Sequence, residues 1–183
     1  ATQIMEDISG ADFCVDIQAS NIFLREILQV RMSEGTAEQL LPYAKLLNTD
    51  FIWVHGAATV LESTLAHGLN TSGVPTVVVE MGVGMRITKS YGLRLTEGIL
   101  CLMKRLGIWE GETIAPKEPM TSDNRKIGLV HANTAGIFLP SMEHQGMVGV
   151  GERIGEILNP LDGTVLETVV SPVEGMIFTL REY

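Results

Sequence analysis

The sequence predicts an α/β fold with a mostly parallel sheet and flanking helices, followed by a small all-β, barrel-like module. In residues 1–112 short apolar runs alternate with segments of helical periodicity, as in sheets whose strands are joined by helices. From residue 125 to 183 the apolar runs are shorter and are separated by glycine or proline. The stretch 113–124 is polar, contains proline and has no periodicity, which predicts a linker.

Three strands are predicted before the linker, over Asp12–Ile17, Phe51–His55 and Pro75–Glu80. The third is apolar and β-branched, which is typical of a parallel strand covered on both faces. A helix is predicted to open at Gly35 and Thr36, where Thr36 and Gln39 fit a capping box. A short helix is expected within 59–69, and Ser90–Leu106 is the longest, with Gly107 as its stop.

About six short strands are predicted after the linker. They cover Lys126–Asn133, Gly136–Leu139, Met147–Val150, Ile154–Leu158, Thr164–Val170 and Met176–Leu180. Asp162-Gly163 is a hairpin signal, and a further turn is predicted at 172–175. Turns at this spacing favour a compact barrel or sandwich.

Composition excludes several classes of function. With 13 Lys+Arg against 22 Asp+Glu, the net charge of −9 argues against a nucleic-acid partner. No apolar run is long enough to cross a membrane, so no membrane association is expected. Two cysteines in apolar runs indicate free thiols and no signal peptide is recognisable, so we expect a cytoplasmic protein. An oligomer is compatible with the sequence.

Polar residues at the ends of the predicted strands are the candidates for chemistry, because ligands of parallel sheets bind at the carboxyl ends of strands. These residues are Asp16 and Gln18, His55, and Glu80. Glu80 follows an apolar run, and a carboxylate there is expected to face a cavity as a general acid/base. The alternative for Glu80 is a helix cap or an ion pair with Arg86. His55 is equally compatible with a structural hydrogen bond at a strand end.

Three segments of the sequence resemble the succinylglutamate desuccinylase/aspartoacylase family, which comprises zinc-dependent deacylases related to zinc carboxypeptidases. The segments are residues 12–21 (DFCVDIQASN), residues 28–31 (LQVR) and residues 73–82 (GVPTVVVEMG). The tail also resembles the small C-terminal barrel of that family. The resemblance implies a zinc carboxypeptidase-like α/β domain, of which 1–112 would be an incomplete C-terminal part.

The resemblance assigns roles to individual residues. Glu80 falls on the family's catalytic glutamate, which would take a proton from zinc-bound water and pass it to the leaving amine. Asp16 falls on the acid that orients a zinc-binding histidine. That histidine's position holds Gln18, and an amide oxygen is a weak zinc ligand. Arg31 and Arg86 are candidates for a substrate carboxylate, since a guanidinium fork suits that role.

The family's other zinc ligands come from a His-x-x-Glu motif, which this sequence does not contain. We therefore expect a piece of a longer deacylase of N-acyl amino acids that binds zinc weakly or not at all and is inactive on its own. The alternative is a pseudo-enzyme or binding protein that has lost the zinc site.

Two other interpretations are weaker. Gly82-Val-Gly84 follows a strand, but Ile87 stands where the third glycine of a dinucleotide-binding loop belongs. The tail also resembles biotinyl or lipoyl carrier barrels, but no lysine follows Lys126, so the hairpin tip at 159–163 cannot carry the cofactor.

Overall fold

A mixed sheet of six strands forms the centre of the computed structural model, which describes residues 2–19, 21–56 and 64–181. The described chain contains, in addition to this sheet, two smaller sheets. The strands of all three sheets, in chain order, are β1 (Cys14–Ala19), β2 (Leu24–Ser33), β3 (Phe51–His55), β4 (Thr76–Gly82), β5 (Met120–Asp123), β6 (Ile137–Pro140), β7 (Met147–Val148), β8 (Arg153–Leu158), β9 (Val165–Val170), β10 (Gly175–Met176) and β11 (Thr179–Arg181). The helices are α1 (Thr2–Ile8), α2 (Glu34–Ala44), α3 (Leu65–Thr71) and α4 (Lys89–Arg105).

The large sheet has the strand order β1-β4-β2-β3-β5, and β11 pairs with the first part of β2. The pairs β1–β4, β2–β3 and β3–β5 are parallel, whereas β2 runs antiparallel to β4 and to β11. The predicted mostly parallel α/β sheet with flanking helices is therefore confirmed. Strand β2 is the exception to the predicted pattern, because it follows β1 without an intervening helix.

One face of this sheet holds the main hydrophobic core. Alternate residues of β2 and β4, among them Leu28, Val30, Val77 and Val79, are fully buried on it. Helices α2 and α4 cover this face with Leu40, Ala44, Leu95 and Leu102. Each large side chain buried here contributes roughly 1.5–3 kcal/mol of transfer free energy. Helices α2 and α4 thus pack on one face of the sheet, and the polar side chains of β2 and β4 lie on the opposite face.

Helix α2 begins earlier than predicted. Ser33, the last residue of β2, is its N-cap, and its side chain accepts a hydrogen bond from the backbone N–H of Gly35. Thr36 does not cap the helix, because its hydroxyl donates to the carbonyl oxygen of Ser33 instead. The predicted long helix matches α4 to within one residue at each end, and Gly107 follows it with a φ of 76°. Part of the predicted 59–69 helix, residues 59–63, lies outside the described ranges; α3 covers 65–69, and Thr64 is its N-cap.

The predicted linker 113–124 contains strand β5, which pairs with β3 at the edge of the large sheet. Lys117 and Glu118, just before β5, bond to Asp50 and Lys45 respectively. The segment is therefore held on the sheet by hydrogen bonds and ion pairs. The proposed division into 1–112, 113–124 and 125–183 stays a prediction.

The C-terminal strands form a three-stranded antiparallel sheet, β6-β8-β9, and a separate pair, β7–β10. Asn159 and Thr164 close the predicted turn at Asp162-Gly163 with a backbone hydrogen bond of 2.8 Å. The predicted strand at 126–133 is wrong, since 124–126 form a 3₁₀ turn and 127–133 pair with nothing in a described sheet. The last predicted strand is split, and β11 leaves the module to pair with β2, so the described strand pairings do not close a barrel. None of the helices in residues 2–19, 21–56 and 64–181 has the length and hydrophobicity that a membrane-spanning helix requires.

Candidate functional site

The face of the sheet opposite the core carries polar side chains in two neighbouring rows. In the first row Gln18 of β1 is in register with Glu80 of β4, which is in register with Gln29 of β2. In the second row Arg31 of β2 is in register with Trp53 of β3. Residues in register on adjacent strands point to the same face with Cβ atoms about 5 Å apart. The topology therefore assembles these five side chains.

A cleft of about 440 Å³ opens along this face. Its polar lining is formed by Gln18, Asn21, Glu26, Arg31, Glu80 and Thr179. Its apolar lining is formed by Ala19, Leu24, Trp53, Leu129 and Phe178. Strands β1, β2, β3, β4 and β11 each contribute at least one of these side chains.

Glu80 is a nearly buried carboxylate in the wall of the cleft, with 12% of its side chain exposed. Its Oε1 lies 3.2 Å from Nη1 of Arg31, which donates a hydrogen bond to it. The Arg31 guanidinium also lies over the Trp53 ring, 4.7 Å from its centroid. Ion pairing and cation–π contact together hold the guanidinium in place. The expected carboxylate facing a cavity is thus present, and its described partner is Arg31.

Gln18 and Asp16 lie on the same face of β1 and bond to each other. Nε2 of Gln18 donates a hydrogen bond of 2.8 Å to Oδ2 of Asp16. Gln18 is exposed and lines the cleft beside Glu80, while Asp16 is half-buried. The pair is thus an amide held by a carboxylate, with the Gln18 amide beside the acid/base candidate.

His55 and Glu80 lie at opposite ends of the strands, measured along the strand direction. His55 ends β3, and β3 runs antiparallel to β4 because β2 between them is antiparallel to β4. Its ring is in edge contact with Trp53, at 5.9 Å between centroids. Burial, together with the positive charge of Arg31, lowers the pKa of His55 below its ordinary value of 6.5. His55 is therefore mainly neutral at neutral pH and is outside the cleft.

Arg86 is exposed in the loop after β4 and does not line the cleft. Of the two arginines suggested for a substrate carboxylate, the fold thus brings only Arg31 to the cleft. Arg31 is also the one that pairs with Glu80.

Two polar residues of β2, Glu26 in the cleft lining and Gln29 buried behind it, are not among the candidates that the sequence indicates. Glu26 is 6% exposed, and its Oε1 accepts a hydrogen bond of 3.3 Å from the Thr179 hydroxyl. Gln29 is fully buried, and neither Nε2 nor Oε1 of its amide has a hydrogen-bond partner within the described part of the chain. The alternation of apolar and polar residues over 28–33 is a strand signal that points to β2. The pairing of β11 with β2 joins residues about as far apart as the chain allows, and no local pattern predicts it.

Comparison with known proteins identifies the fold. No family model and no curated protein sequence matches the chain. Solved structures do match. Succinylglutamate desuccinylase/aspartoacylase from Rhodobacter sphaeroides superposes with a TM-score of 0.78 at 18% identity over 99% of this chain. The fold is that of the succinylglutamate desuccinylase/aspartoacylase structures.

Two further structures with this desuccinylase/aspartoacylase fold are similar to the same extent. The apo ectoine utilization protein EutE (DoeB) from Ruegeria pomeroyi has a TM-score of 0.80 at 16% identity and 99% coverage of this chain. A succinylglutamate desuccinylase from a Silicibacter species has a TM-score of 0.79 at 14% identity, again over 99% of this chain. The chain spans only 58–60% of the length of these three structures.

The side chains at the cleft do not form a zinc site of the kind that the resemblance implies. Zinc is held by several imidazole, thiolate or carboxylate ligands. Nowhere in residues 2–19, 21–56 and 64–181 do three or more His, Cys, Asp or Glu side chains come together to hold a metal ion. Asp16 accepts a hydrogen bond from Gln18, and Glu80 accepts one from Arg31. The imidazole of His55 lies at the other end of the strands, away from both carboxylates. This donor set does not fit zinc.

Proposed function

We propose that this chain carries the substrate-binding and acid/base part of a deacylase that cleaves the amide of an N-acyl amino acid. The observation that carries the proposal is the nearly buried Glu80 carboxylate in the wall of the cleft, held by Arg31. The desuccinylase/aspartoacylase fold supports it. A nearly buried carboxylate beside a space large enough for a small amide supports this role.

Glu80 would act as the acid/base residue. As a carboxylate it would accept a proton from an attacking water, and as an acid it would return that proton to the leaving amine. Arg31 donates to Oε1, so we assign the proton transfer to Oε2. Gln18, which lines the cleft beside Glu80, would contact the acyl group or the amide.

Because the donor set does not fit zinc, we propose that the chain by itself binds zinc weakly and does not turn over. The test is to titrate the purified chain with N-acetyl amino acids by calorimetry and to assay amine release with and without added zinc. Binding without amine release is the expected result. Substitution Glu80→Lys, which places a cation beside Arg31, should abolish binding. Failure of every N-acyl amino acid to bind would overturn the proposal.

Substitution Gln18→His tests whether the cleft is one ligand short of a metal site. It would place an imidazole beside Asp16, the arrangement that orients zinc-binding histidines. We expect an increase of tenfold or more in zinc affinity, on the order of the effects of orienting carboxylates. Gln3→His is a matched control, since Gln3 is also exposed and donates to an aspartate, Asp7, at 3.0 Å. The control should leave zinc affinity unchanged.

A second candidate is a pseudo-enzyme or binding protein that recognises the same ligand without cleaving it. The Gln18–Asp16 hydrogen bond favours it, since an amide is held where the resemblance places a zinc-binding histidine. Zinc-dependent amine release by the unmodified chain would eliminate this candidate. Gain of both zinc binding and amine release by Gln18→His, in a longer protein that is inert without the substitution, would support it. A cytoplasmic location and assembly into an oligomer stay predictions.

A further inference from the structure

Strand β9 lies at one edge of the three-stranded sheet β6-β8-β9. It pairs antiparallel with β8, and no other strand of the described chain lies against its second edge. On that side the backbone of Val165–Val170 makes no hydrogen bond to the backbone of any described residue. An unpaired strand edge of this kind is a template for a further strand.

The sequence of β9 does not block this edge. Edge strands are commonly short, or carry lysine or proline that prevents pairing. The other edge strand of the same sheet, β6, has four residues and ends at Pro140. Strand β9 has six residues, VLETVV, with neither lysine nor proline. Valine and threonine favour strands, so β9 has the sequence of a strand that pairs on both sides.

The pattern of β9 is complementary to itself. Leu166, Thr168 and Val170 are exposed and alternate with the less exposed Glu167 and Val169, so they share one face. Two identical antiparallel strands related by a two-fold axis have one residue opposite itself, because the axis maps hydrogen-bonded pairs onto each other. With Thr168 at this centre, Leu166 of each copy lies opposite Val170 of the other. Two apolar pairs then flank a Thr–Thr pair, and both kinds of pair stabilise antiparallel strands.

Charge favours the same register. The chain has a net charge of −9, so two copies repel each other except where they meet at a surface with few acids. Strand β9 has one acid, Glu167, whose carboxylate accepts hydrogen bonds of 2.9 and 2.7 Å from the backbone N–H and the side-chain amide of Asn133. A register centred on Glu167 would place two carboxylates directly opposite each other, which is destabilising. Centred on Thr168, the register places Glu167 opposite Val169.

We propose that β9 is a dimerisation strand, which pairs antiparallel with β9 of a second copy of this chain in the register centred on Thr168. The pairing joins the two three-stranded sheets into one. Because it uses the open β9 edge of both copies, the assembly closes at two. One short strand per copy is a small interface, so we expect a dissociation constant of about 10–100 μM. The dimer does not depend on the proposed function of the cleft.

The test is sedimentation equilibrium of the full chain from about 1 to 500 μM, where we expect a monomer–dimer equilibrium. Leu166→Lys places a cation on the open edge, against Val170 of the second copy, and should raise the dissociation constant about tenfold or more. Leu139→Lys is the matched control. Leu139 is 53% exposed against 46% for Leu166, but it lies on β6, at the other edge of the sheet, and the variant should dimerise unchanged. Circular dichroism checks that both variants fold.

Crosslinking tests the register. Thr168→Cys places two thiols opposite each other across the two-fold axis, within reach of a disulfide. Oxidised glutathione should convert this variant into a covalent dimer, as two protein thiols form one disulfide and the glutathione disulfide is reduced to two thiols. Glu167→Cys, opposite Val169 in the proposed register, should remain uncrosslinked. The unmodified chain, with its own Cys14 and Cys101, is the blank.

Four results would overturn the proposal. The first is a monomer at every concentration. The second is loss of the dimer in Leu139→Lys, which would place the contact on the face of the sheet. The third is crosslinking of Glu167→Cys in preference to Thr168→Cys, and the fourth is growth of the mass beyond two copies. Weaker dimerisation in Leu166→Lys alone, together with a Thr168→Cys covalent dimer, would support it.

Discussion

Arg31 and Glu80 meet diagonally across the antiparallel strands β2 and β4, with Nη1 and Oε1 3.2 Å apart. Arg31 is in register with Val78, and Gln29 is the residue in register with Glu80. On its other side the same guanidinium lies over Trp53, whose ring contacts His55. Arg31 therefore contacts Glu80 near one end of the strands and, through Trp53, is linked to His55 near the other end.

The first prediction concerns the pKa of His55. Burial is the larger cause of its lowering, and the charge of Arg31 is the second. Arg31→Met should therefore raise the pKa of His55 but leave it below 6.5, whereas Arg31→Lys, which keeps the charge, should change it less. The measurement is an NMR titration of the imidazole resonances. An unchanged pKa in Arg31→Met would show that burial alone determines it.

The same shift has a consequence for stability at mildly acidic pH. A histidine whose pKa is lower in the folded than in the unfolded chain binds its proton first in the unfolded chain. The free energy of unfolding should therefore decrease as the pH falls below 6.5 and stop decreasing, as far as His55 is concerned, below the folded pKa. Replacing His55 by Gln should reduce this decrease, measured by urea unfolding across the pH range.

The parts of the fold that local patterns determine were predictable. The sequence predicts strand β3 residue for residue, because four apolar residues followed by His55, flanked by turn signals, are too short for a helix. Strand β2 was missed although 28–33 alternate, because Glu26, Gln29 and Arg31 make the segment look too polar for a central strand. Its polar residues are accommodated on the face that carries the cleft.

The candidate site was predictable only in part for the same reason. Glu80 stood out because a carboxylate follows an apolar strand, and its exposure of 12% agrees with that expectation. Its partner Arg31 could not be assigned, because the contact depends on β2 inserting between β4 and β3 and running antiparallel to β4. Glu26 and Thr179 meet only through the pairing of β2 with β11, which no spacing in the sequence indicates.

The buried amide of Gln29 leads to a prediction about stability. An amide donor or acceptor that is buried without a partner costs roughly 1–3 kcal/mol. Gln29→Leu, which fills a similar volume without polar atoms, should raise the free energy of unfolding by about 1 kcal/mol or more. Gln39→Leu on the exposed face of α2 is the control and should change it little. A loss of stability in Gln29→Leu would indicate a buried water bonded to the amide.

The carboxylate of Asp50 anchors α4 and the segment before β5 to the start of β3. Arg94 binds both of its oxygens, at 2.9 and 3.0 Å, and Nζ of Lys117 lies 2.7 Å from Oδ1. Arg94→Met should lower the free energy of unfolding by about 2–3 kcal/mol, because a nearly buried carboxylate loses its bidentate partner. Arg105→Met, at an exposed position in the last turn of α4, should cost about 0.5 kcal/mol or less.

The effect of Arg94→Met should depend on pH. Burial opposes ionisation of Asp50, but the hydrogen bonds from Arg94 and Lys117 outweigh it and lower the pKa below its ordinary value of 3.8. The resulting stability is present above pH 3.8 and is lost as the pH falls through the lower folded pKa. Urea unfolding of both proteins should therefore show a gap that is full at neutral pH and narrows in strong acid. A constant gap would mean that Arg94 stabilises by packing alone.

Two glycines of α4 give a matched pair of substitutions with opposite expected signs. A Cβ at Gly98 would lie 2.2 Å from the carbonyl carbon and oxygen of Leu47, which is backbone and cannot rotate away. Gly98→Ala should therefore push α4 off the 3₁₀ turn at 45–47 and cost about 2–3 kcal/mol, despite the better helix propensity of alanine. A Cβ at Gly92 meets nothing within 4 Å, so Gly92→Ala should stabilise by about 0.5 kcal/mol. Thermal unfolding of the two variants checks the pair. Stabilisation by both would show that the helix and the turn are farther apart than the structure places them.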